Sequence, residues 1–383
     1  MAGEPPETIS AVWPVFGDLV PVGDRLLREV TFVTEAPIPT DEAMIHLNGI
    51  TDSHRDDIGP ALLDAVPGST TRALCYLLPD ELVASYRFVT ASALPRDSGA
   101  TRAGWVRIHE AGRRDARNDT RLPNPLGHES SVLVAPNATV HPVWRRGALR
   151  RRVVSETDVH DDDRGRASLL VGDDSGDGLV IVFDAENWRR VGLADALARS
   201  ARSLPPVLLV PSGSLQQRAA FLPHPERVIA VLEALRDRLH AITSLRFDGV
   251  STVVAGQSYG GLAAAAVTVH RPDLAATAVA QSGSFHFRSG AVRRAPVGEG
   301  GDLLTAMSDP LPHRRFIVQA GTEESGIGAL ANRFAERAAA SGADVSLRMY
   351  SGGHDYAWWR SGLFDALDMC VLRRDGGDGD RSR

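Results

Sequence analysis

The stretch that decides the fold of this chain is Thr252-Val253-Val254-Ala255-Gly256-Gln257-Ser258-Tyr259-Gly260-Gly261. Its apolar beginning is typical of a buried strand, and the alanine-rich residues 262–269 that follow are typical of a helix. A strand, the pattern G-x-S-x-G and a helix, in this order, indicate a nucleophile elbow, the tight turn that exposes a serine hydroxyl at the end of a parallel strand. Small residues two positions before and after Ser258 leave room for the crossing helix. A glycine-rich turn with an idle serine is the alternative, and the flanks favour a catalytic Ser258.

The composition of the chain limits the classes of protein to which it can belong. The 383 residues suit about two domains, and 43% hydrophobic with 23% charged residues is ordinary for a globular chain. A net charge of -6 argues against general nucleic-acid binding, and no stretch reaches the ~20 apolar residues of a membrane helix. The first ten residues lack the features of a signal peptide, and two cysteines, Cys75 and Cys370, cannot form a disulfide framework. We therefore expect a cytoplasmic protein without nucleic-acid or membrane partners.

The pattern of apolar and polar residues along the sequence predicts an α/β fold class with two domains and a tail. Short apolar runs broken by turn residues over 20–145 predict an N-terminal β-sandwich. Alternating strand-like and helix-like segments over 149–372 predict a mostly parallel sheet covered on both faces, which with the elbow is an α/β-hydrolase domain. Residues 373–383, rich in Gly, Asp and Arg, predict a disordered tail. The candidate strands of the second domain are 151–155, 167–171, 179–183, 207–210, 252–255, 276–281, 316–319 and 345–350, with helices at 226–240 and 327–340.

A serine nucleophile needs a base and an acid, which follow it along the chain in the order serine, acid, histidine. His354 fits the base because it follows the last candidate strand through two glycines. The acid is expected after strand 316–319, where both Glu323 and Glu324 are candidates and Glu324 is preferred. Asp355 is a weaker candidate, since adjacent side chains rarely meet in the geometry that a triad requires.

The oxyanion hole needs two backbone N–H donors. One is expected from Tyr259, directly after the nucleophile and at the start of a helix. The other is expected from Ala185 or Glu186, in the loop after strand 179–183. The sequence contains no metal-ligand spacing and no phosphate-binding glycine loop, so we expect no metal and no cofactor.

These motifs resemble those of the enterochelin (enterobactin) esterases, which open the trilactone of catecholate siderophores to release iron. The N-terminal half resembles that family more weakly than the catalytic half. The segments that carry the resemblance are 253–262, 280–284, 352–355 with 359–360 and 362–363, 183–188 and 321–324 in the catalytic half, and 29–32, 49–52, 85–88 and 124–126 in the N-terminal half.

The resemblance implies roles for further residues. It favours Glu324 as the acid, and it implies that a trianionic ferric tris-catecholate is bound by arginines, with Arg218 and Arg360 as candidates. Trp188 and Trp359 could stack on catechol rings or pack in the core. Residues 218–222 keep the family's arginine but lose the glutamate that often follows it, which leaves the orientation of Arg218 open.

Three functions are compatible with the sequence. The first is a serine esterase that hydrolyses a catecholate siderophore trilactone. The second is a carboxylesterase or acyltransferase of the same fold with another ester substrate. The third is a binding protein with an inert hydrolase domain, against which the intact pair of Ser258 and His354 argues.

Overall fold

A computed structural model describes residues 13–123, 127–145, 152–245, 247–290, 300–307 and 309–377. The chain forms two compact units, one of residues 1–139 and 351–358 and the other of residues 140–350 and 359–383. The division at 139/140 lies near the predicted one between 145 and 149. The segment 351–358, which the sequence assigns to the second domain, belongs to the first unit.

The first unit contains two four-stranded antiparallel sheets that share one core, as the predicted β-sandwich requires. Val30 and Phe32 of one sheet and Ile45, Tyr86 and Leu133 of the other are buried in that core. Residues 124–126, which carry part of the family resemblance, lie outside the described residues. One sheet has the order β1 (Val15–Val22), β2 (Arg25–Glu35), β5 (Thr71–Pro79), β4 (Asp64–Ala65), the other has the order β3 (Glu42–Leu47), β6 (Val83–Ala91), β8 (Glu129–Val134), β7 (Arg121–Pro123), and helix α1 spans Arg102–Ala111.

The second unit contains an eight-stranded sheet that is parallel from β12 to β16, which confirms the predicted fold class. The two strands at the other edge, β9 and β10, are antiparallel to each other, and β10 is antiparallel to β12. In spatial order the strands are β16 (Asp344–Tyr350), β15 (Arg315–Gly321), β14 (Thr277–Gln281), β13 (Thr252–Gln257), β11 (Leu179–Phe183), β12 (Val207–Val210), β10 (Gly165–Gly172) and β9 (Val154–Asp162).

Helices connect these strands and cover the sheet. Every residue of β11, β12 and β13 is buried, as expected of parallel strands covered on both faces. The helices are α2 (Ala185–Val191), α3 (Leu193–Ala198), α4 (Leu215–Phe221), α5 (Pro225–Ile242), α6 (Tyr259–His270), α7 (Asp302–Ala306), α8 (Ile327–Ala340) and α9 (Tyr356–Gly377).

Two elements differ from their predicted bounds by more than two residues at an end. Strand β9 begins at Val154 and continues to Asp162, well past the predicted end at 155. Helix α9 continues to Gly377, so the first residues of the predicted tail are helical, and residues 378–383 lie outside the description.

The carboxyl ends of three neighbouring strands carry the same unusual turn. Asp184, Ser258 and Ser282 directly follow β11, β13 and β14, and their φ angles are 63°, 57° and 48°. Non-glycine residues rarely adopt left-handed φ, and such residues cluster at active sites. Since these strands are adjacent in the sheet, the three strained turns lie along one edge.

Candidate active site

Ser258 lies at a sharp turn between β13 and α6, with φ 57° and ψ -117°. A Cβ atom on Gly256 would lie 2.4 Å from the carbonyl carbon and oxygen of Gly260, so the helix crosses the strand too closely for any side chain there. This close crossing explains why small residues stand on both sides of the serine. The serine side chain is half-buried, and its Oγ lies 3.3 Å from the Oγ of Ser284. Sequence reasoning gave Ser284 no role, although it belongs to a segment that resembles the esterase family.

Glu324 has a buried carboxylate held in place by two donors. The Oγ of Ser282 donates to its Oε2 at 2.8 Å and the backbone N–H of Gly321 donates to the same atom at 2.7 Å. The indole of Trp359 donates to the Oγ of Ser282, at 2.8 Å. Glu324 is 7% exposed, whereas the neighbouring Glu323 is half-buried and its Oε1 accepts from the hydroxyl of Thr322. Of the two candidate acids, Glu324 is therefore the more deeply buried and the one whose carboxylate accepts hydrogen bonds from both Ser282 and Gly321.

His354 is an exposed residue in the segment 351–358 of the first unit. The two preceding glycines pack closely within that unit. A Cβ atom on Gly353 would lie 2.4 Å from the Oδ1 of Asn48, and one on Gly352 would lie 2.5 Å from the ring of Trp358. The segment is therefore shaped by the N-terminal sandwich and not only by glycine flexibility.

Asp355 has a structural role next to His354. Its Oδ2 accepts from the backbone N–H of Ser85 at 2.6 Å, and its Oδ1 accepts from the N–H of Ala357 at 3.0 Å. The second contact is an N-terminal cap for α9. Both oxygens thus bind backbone donors, in keeping with the low rank of Asp355 as the triad acid.

The three expected oxyanion donors lie in the first turns of two helices. Tyr259 is the first residue of α6, and Ala185 and Glu186 are the first two of α2. In such positions the backbone N–H has no acceptor within its own helix. The loop before α2 is tightly formed, because the carbonyl of Asp184 accepts from the N–H groups of Asn187 and Trp188.

Arg218, on α4, links this loop to the elbow. Its Nε and Nη2 donate to the two carboxylate oxygens of Asp184 at 2.7 and 2.8 Å, and its Nη2 also donates to the backbone oxygen of Gln257 at 3.1 Å. Its guanidinium lies 5.6 Å from the centre of the Tyr259 ring. Asp184 is fully buried, so a large part of the charge of Arg218 is balanced inside the molecule.

The other expected substrate-binding residues lie in the interior. Trp188 is fully buried and its indole donates to the Oε1 of Gln257 at 3.1 Å, and Trp359 is only 4% exposed. Both indoles therefore pack in the core in this structure, which is one of the two placements that the sequence left open. Arg360 is 7% exposed and its guanidinium lies 5.3 Å from the centre of the Trp144 ring.

One cluster in the first unit has the residue types of a metal site. Ligand atoms of His46, Asp52 and His109 lie within 4.8 Å of one another. The two oxygens of Asp52 already accept from the indole of Trp105 and the N–H of Gly49. The Nη2 of Arg87 lies 3.3 Å from the Nδ1 of His109, and a permanent positive charge so close opposes a cation. These contacts are those of a hydrogen-bonded structural cluster.

Burial shapes the ionisation of this cluster. Burial, followed by the charges of His46, Arg87 and His128, lowers the pKa of His109 to about 3, against the opposite effect of Asp52. Burial tends to raise the pKa of Asp52, but the hydrogen bond and charge of His46 hold that pKa well below its usual value.

Comparison with known proteins identifies the family. The model "Enterochelin esterase, N-terminal" matches residues 29–144, and the model "Putative esterase" matches residues 176–369, more than half of the chain. The chain belongs to the enterochelin esterase family. The resemblance seen in the motifs is thereby confirmed, and this esterase is a carboxylic ester hydrolase.

Relatives and solved structures agree with this assignment. The iron(III) enterobactin esterase of Dickeya dadantii is 28% identical over 369 residues, which cover 86% of this chain and 83% of that protein. The iron(III) salmochelin esterase of Escherichia coli O6:H1 is 23% identical over 89% of this chain and 87% of that protein. The crystal structure of the ferric enterobactin esterase of Salmonella typhimurium has a TM-score of 0.78 at 23% identity, covers 91% of this chain and 95% of that one, and shows the same fold.

Among the described residues, no helix has both the length and the apolar character needed to cross a membrane.

Proposed function

We propose that this esterase hydrolyses the ester bonds of a catecholate siderophore trilactone such as enterobactin, and that it does so in the cytoplasm, where opening the ferric complex releases iron. The observation that carries the proposal is the strained Ser258 at the start of α6, in a chain whose two parts match the two family models. The names of its relatives favour a siderophore over another ester substrate, for which no specific observation speaks.

The proposed reaction proceeds by acyl transfer. The Oγ of Ser258 attacks a lactone carbonyl while His354 takes its proton, and the protonated imidazole then gives that proton to the leaving alkoxide. His354 then takes a proton from water, which attacks the acyl-enzyme, and the imidazole returns that proton to the Oγ of Ser258 as the free acid leaves. Glu324 accepts from the imidazole and stabilises its charged form. Its buried and doubly bound carboxylate supports this role, as does the order of the three residues along the chain.

Backbone N–H groups stabilise the oxyanion in this proposal. Tyr259 supplies one donor and Ala185 or Glu186 supplies the other. The ion pair of Arg218 with Asp184 supports this arrangement, because it connects the residue before α2 to the strand that ends in the nucleophile.

Arginines bind the trianionic ferric complex in this proposal. Arg218 and Arg360 remain the proposed contacts, although both are largely buried. Arg218 can also affect catalysis without touching the substrate, because it contacts the ring of Tyr259 and the backbone oxygen of Gln257, the two residues that flank Ser258. A loss of binding in Arg218→Lys therefore has to be separated from a loss of turnover.

Product analysis tests the proposed substrate. The esterase is incubated with ferric enterobactin and, separately, with a short p-nitrophenyl ester, and linear products are separated by chromatography. We expect Ser258→Ala to abolish both reactions and the wild type to open the trilactone. An intact trilactone alongside turnover of the small ester rejects the siderophore proposal and leaves the general esterase.

A fluorophosphonate probe tests the nucleophile independently of the substrate. We expect one adduct, on Ser258, and none in Ser258→Ala. A wild-type protein without an adduct would reject every esterase mechanism that uses this serine.

A further inference from the structure

A chain of hydrogen-bonded side chains crosses the second unit below the active-site turns. The Nε1 of Trp188 donates to the Oε1 of Gln257 at 3.1 Å, the Nε2 of Gln257 donates to the Oε1 of Gln281 at 2.7 Å, and the Nε2 of Gln281 donates to the Oε1 of Gln319 at 2.7 Å. The three glutamines are register partners on β13, β14 and β15, and each is at most 1% exposed. We call Gln257, Gln281 and Gln319 the glutamine ladder.

The direction of the ladder is fixed at both ends. An indole can only donate, so Gln257 must turn its oxygen to Trp188 and its nitrogen to the next glutamine. The same orientation then repeats along the ladder, and the Nε2 of Gln319 donates to the backbone oxygen of Gly362 at 2.8 Å and lies 3.4 Å from the hydroxyl of Tyr350. That hydroxyl donates to Asp365 at 2.8 Å. A change at one member therefore disturbs its neighbours on both sides.

Two members of the ladder lie directly before a strained turn, and the third, Gln319, lies on β15, the strand that precedes Glu324. Gln257 precedes Ser258, and Gln281 precedes Ser282, whose hydroxyl donates to Glu324. The other N–H of Gln281 donates to the backbone oxygen of Trp359 at 2.9 Å. The indole of Trp359 in turn donates to the Oγ of Ser282, which donates to Glu324. Gln281 is therefore linked to the carboxylate of Glu324 through Trp359 as well as through the adjacent Ser282.

Helix α9 approaches the ladder so closely that it needs a glycine. A Cβ atom on Gly362 would lie 2.6 Å from the Oε1 of Gln319 and 2.8 Å from the Nε2 of Gln281. The close packing of α9 against the ladder therefore explains why residue 362 is a glycine.

We propose that the glutamine ladder is a positioning device, which holds the nucleophile strand β13 and the acid-bearing strand β15 in one register through the central Gln281. This inference rests on the proposed use of Ser258 and Glu324. Backbone hydrogen bonds already hold the parallel strands side by side and extend to the first turn residues, since the N–H of Ser258 donates to the oxygen of Gln281 and the N–H of Ser282 donates to the oxygen of Gln319. The ladder adds buried, directional side-chain contacts between the same three strands. A displacement of about 1 Å in such a constellation can cost roughly 10²-fold in rate.

The test uses Gln281→Met, which keeps the size of the side chain and removes its polar atoms. We expect kcat to fall by roughly 10²-fold with KM changed by less than about threefold, because a positioning residue acts on the reacting atoms and not on binding. The rate of fluorophosphonate labelling of Ser258 should fall as well. Val279→Ala is the matched control, since Val279 is fully buried on the same strand and the same side of it, two residues before Gln281.

Gly362→Ala provides a second variant that does not depend on Gln281→Met folding well. Alanine favours a helix over glycine, so α9 itself should not suffer, while the new methyl group presses on Gln281 and Gln319. We expect a fall in kcat and in labelling rate of tenfold or more, measured at a temperature below the thermal midpoint of the variant, which this overpacking should lower.

The outcomes separate the possibilities. Reduced kcat and labelling in both ladder variants, with wild-type kcat in Val279→Ala at a temperature below its unfolding, support the positioning role. Wild-type kcat and labelling in Gln281→Met or Gly362→Ala would overturn it and leave the ladder a stabilising feature only. If the wild type labels at Ser258 but leaves the siderophore intact, the proposed substrate fails while the labelling rates still decide the inference about the ladder.

Discussion

At the scale of single residues, the site is built from strained turns whose side chains are locked. Asp184, Ser258 and Ser282 each hold a left-handed φ, a conformation that costs about 1–3 kcal/mol for a non-glycine residue. Each has a contact that keeps it there: Asp184 binds Arg218, the N–H of Ser258 donates to the backbone of β14, and Ser282 binds Glu324. The fold thus supports strain at three positions along the sheet edge where the chemistry is proposed.

The first prediction compares substitutions of the two neighbouring glutamates, Glu323 and Glu324. Glu324→Gln should lower kcat/KM by roughly 10²-fold or more, yet by less than Ser258→Ala, because members of a triad contribute unequally when they are removed singly. Glu323→Gln is the matched control and should retain activity within about threefold, since its side chain is half-buried and contacts only a neighbouring hydroxyl in the described contacts. Steady-state kinetics with a chromogenic ester measures both. Equal losses, or a loss in Glu323→Gln alone, would move the acid to Glu323.

At the scale of secondary-structure elements, two close approaches shape the catalytic segments. One is the crossing of β13 by α6 at Gly256 and Gly260, and the other is the packing of the histidine segment 351–358 within the first unit. In both cases backbone meets backbone or a buried side chain with no room for a Cβ atom. Glycine is therefore required by contact, and at neither Gly256 nor Gly353 by a left-handed φ.

Gly353→Ala makes the second prediction. The new methyl group would lie 2.4 Å from the Oδ1 of Asn48 and 2.7 Å from the Cα of Gly49, so the segment has to move and His354 moves with it. We expect kcat to fall by tenfold or more, measured with a chromogenic ester and with fluorophosphonate labelling. Gly172→Ala serves as the control, because its nearest contact is the flexible hydroxyl of Ser175 at 3.4 Å. An unchanged kcat in Gly353→Ala would show that the position of the histidine does not depend on this contact.

At the scale of the whole molecule, the half-buried His109 couples stability to pH. His109 has a folded-state pKa of about 3, below the ordinary value of 6.5, because of burial and nearby positive charges. Above pH 6.5 both folded and unfolded states hold His109 neutral. As the pH falls from 6.5 towards 3 only the unfolded state takes up the proton, so the folded state loses free energy relative to it, by at most about 1.4 kcal/mol per pH unit.

The third prediction concerns this loss of folding stability as the pH falls. The denaturant midpoint of the wild type should fall between pH 7.5 and pH 5.5, and His109→Gln should show a smaller fall because glutamine does not titrate. Part of the dependence should remain in the variant, since burial and then the charge of Arg314 also lower the pKa of His270. Ile108→Val provides the control, because Ile108 is a buried neighbour of His109 on α1 without a titratable group, so this variant should keep the wild-type slope. A variant of His109 with an unaltered slope would contradict the assignment.

The elements of the catalytic unit could be predicted from the sequence because their signals are local. Strand β11 and strand β12 have the predicted bounds, and the elbow follows from the order of strand, G-x-S-x-G and helix. The end of α9 and the length of β9 could not be predicted, because the polar residues involved carry no periodic apolar pattern. Trp188 and Trp359 could be assigned to core or pocket only by their burial, which no local pattern encodes.

By itself, the sequence determined the α/β class, the sandwich before it and the family, and it predicted Ser258 as the nucleophile, since local periodicity and short motifs are enough to specify them. Only the tertiary structure decided which partner each polar group finds. It separated the buried Glu324 from the half-buried Glu323, paired Arg218 with Asp184, placed the segment of His354 with the first unit and aligned three glutamines across three strands. Those pairings join residues far apart in the chain, and burial makes them strong, so they exist only once the strands and helices have packed.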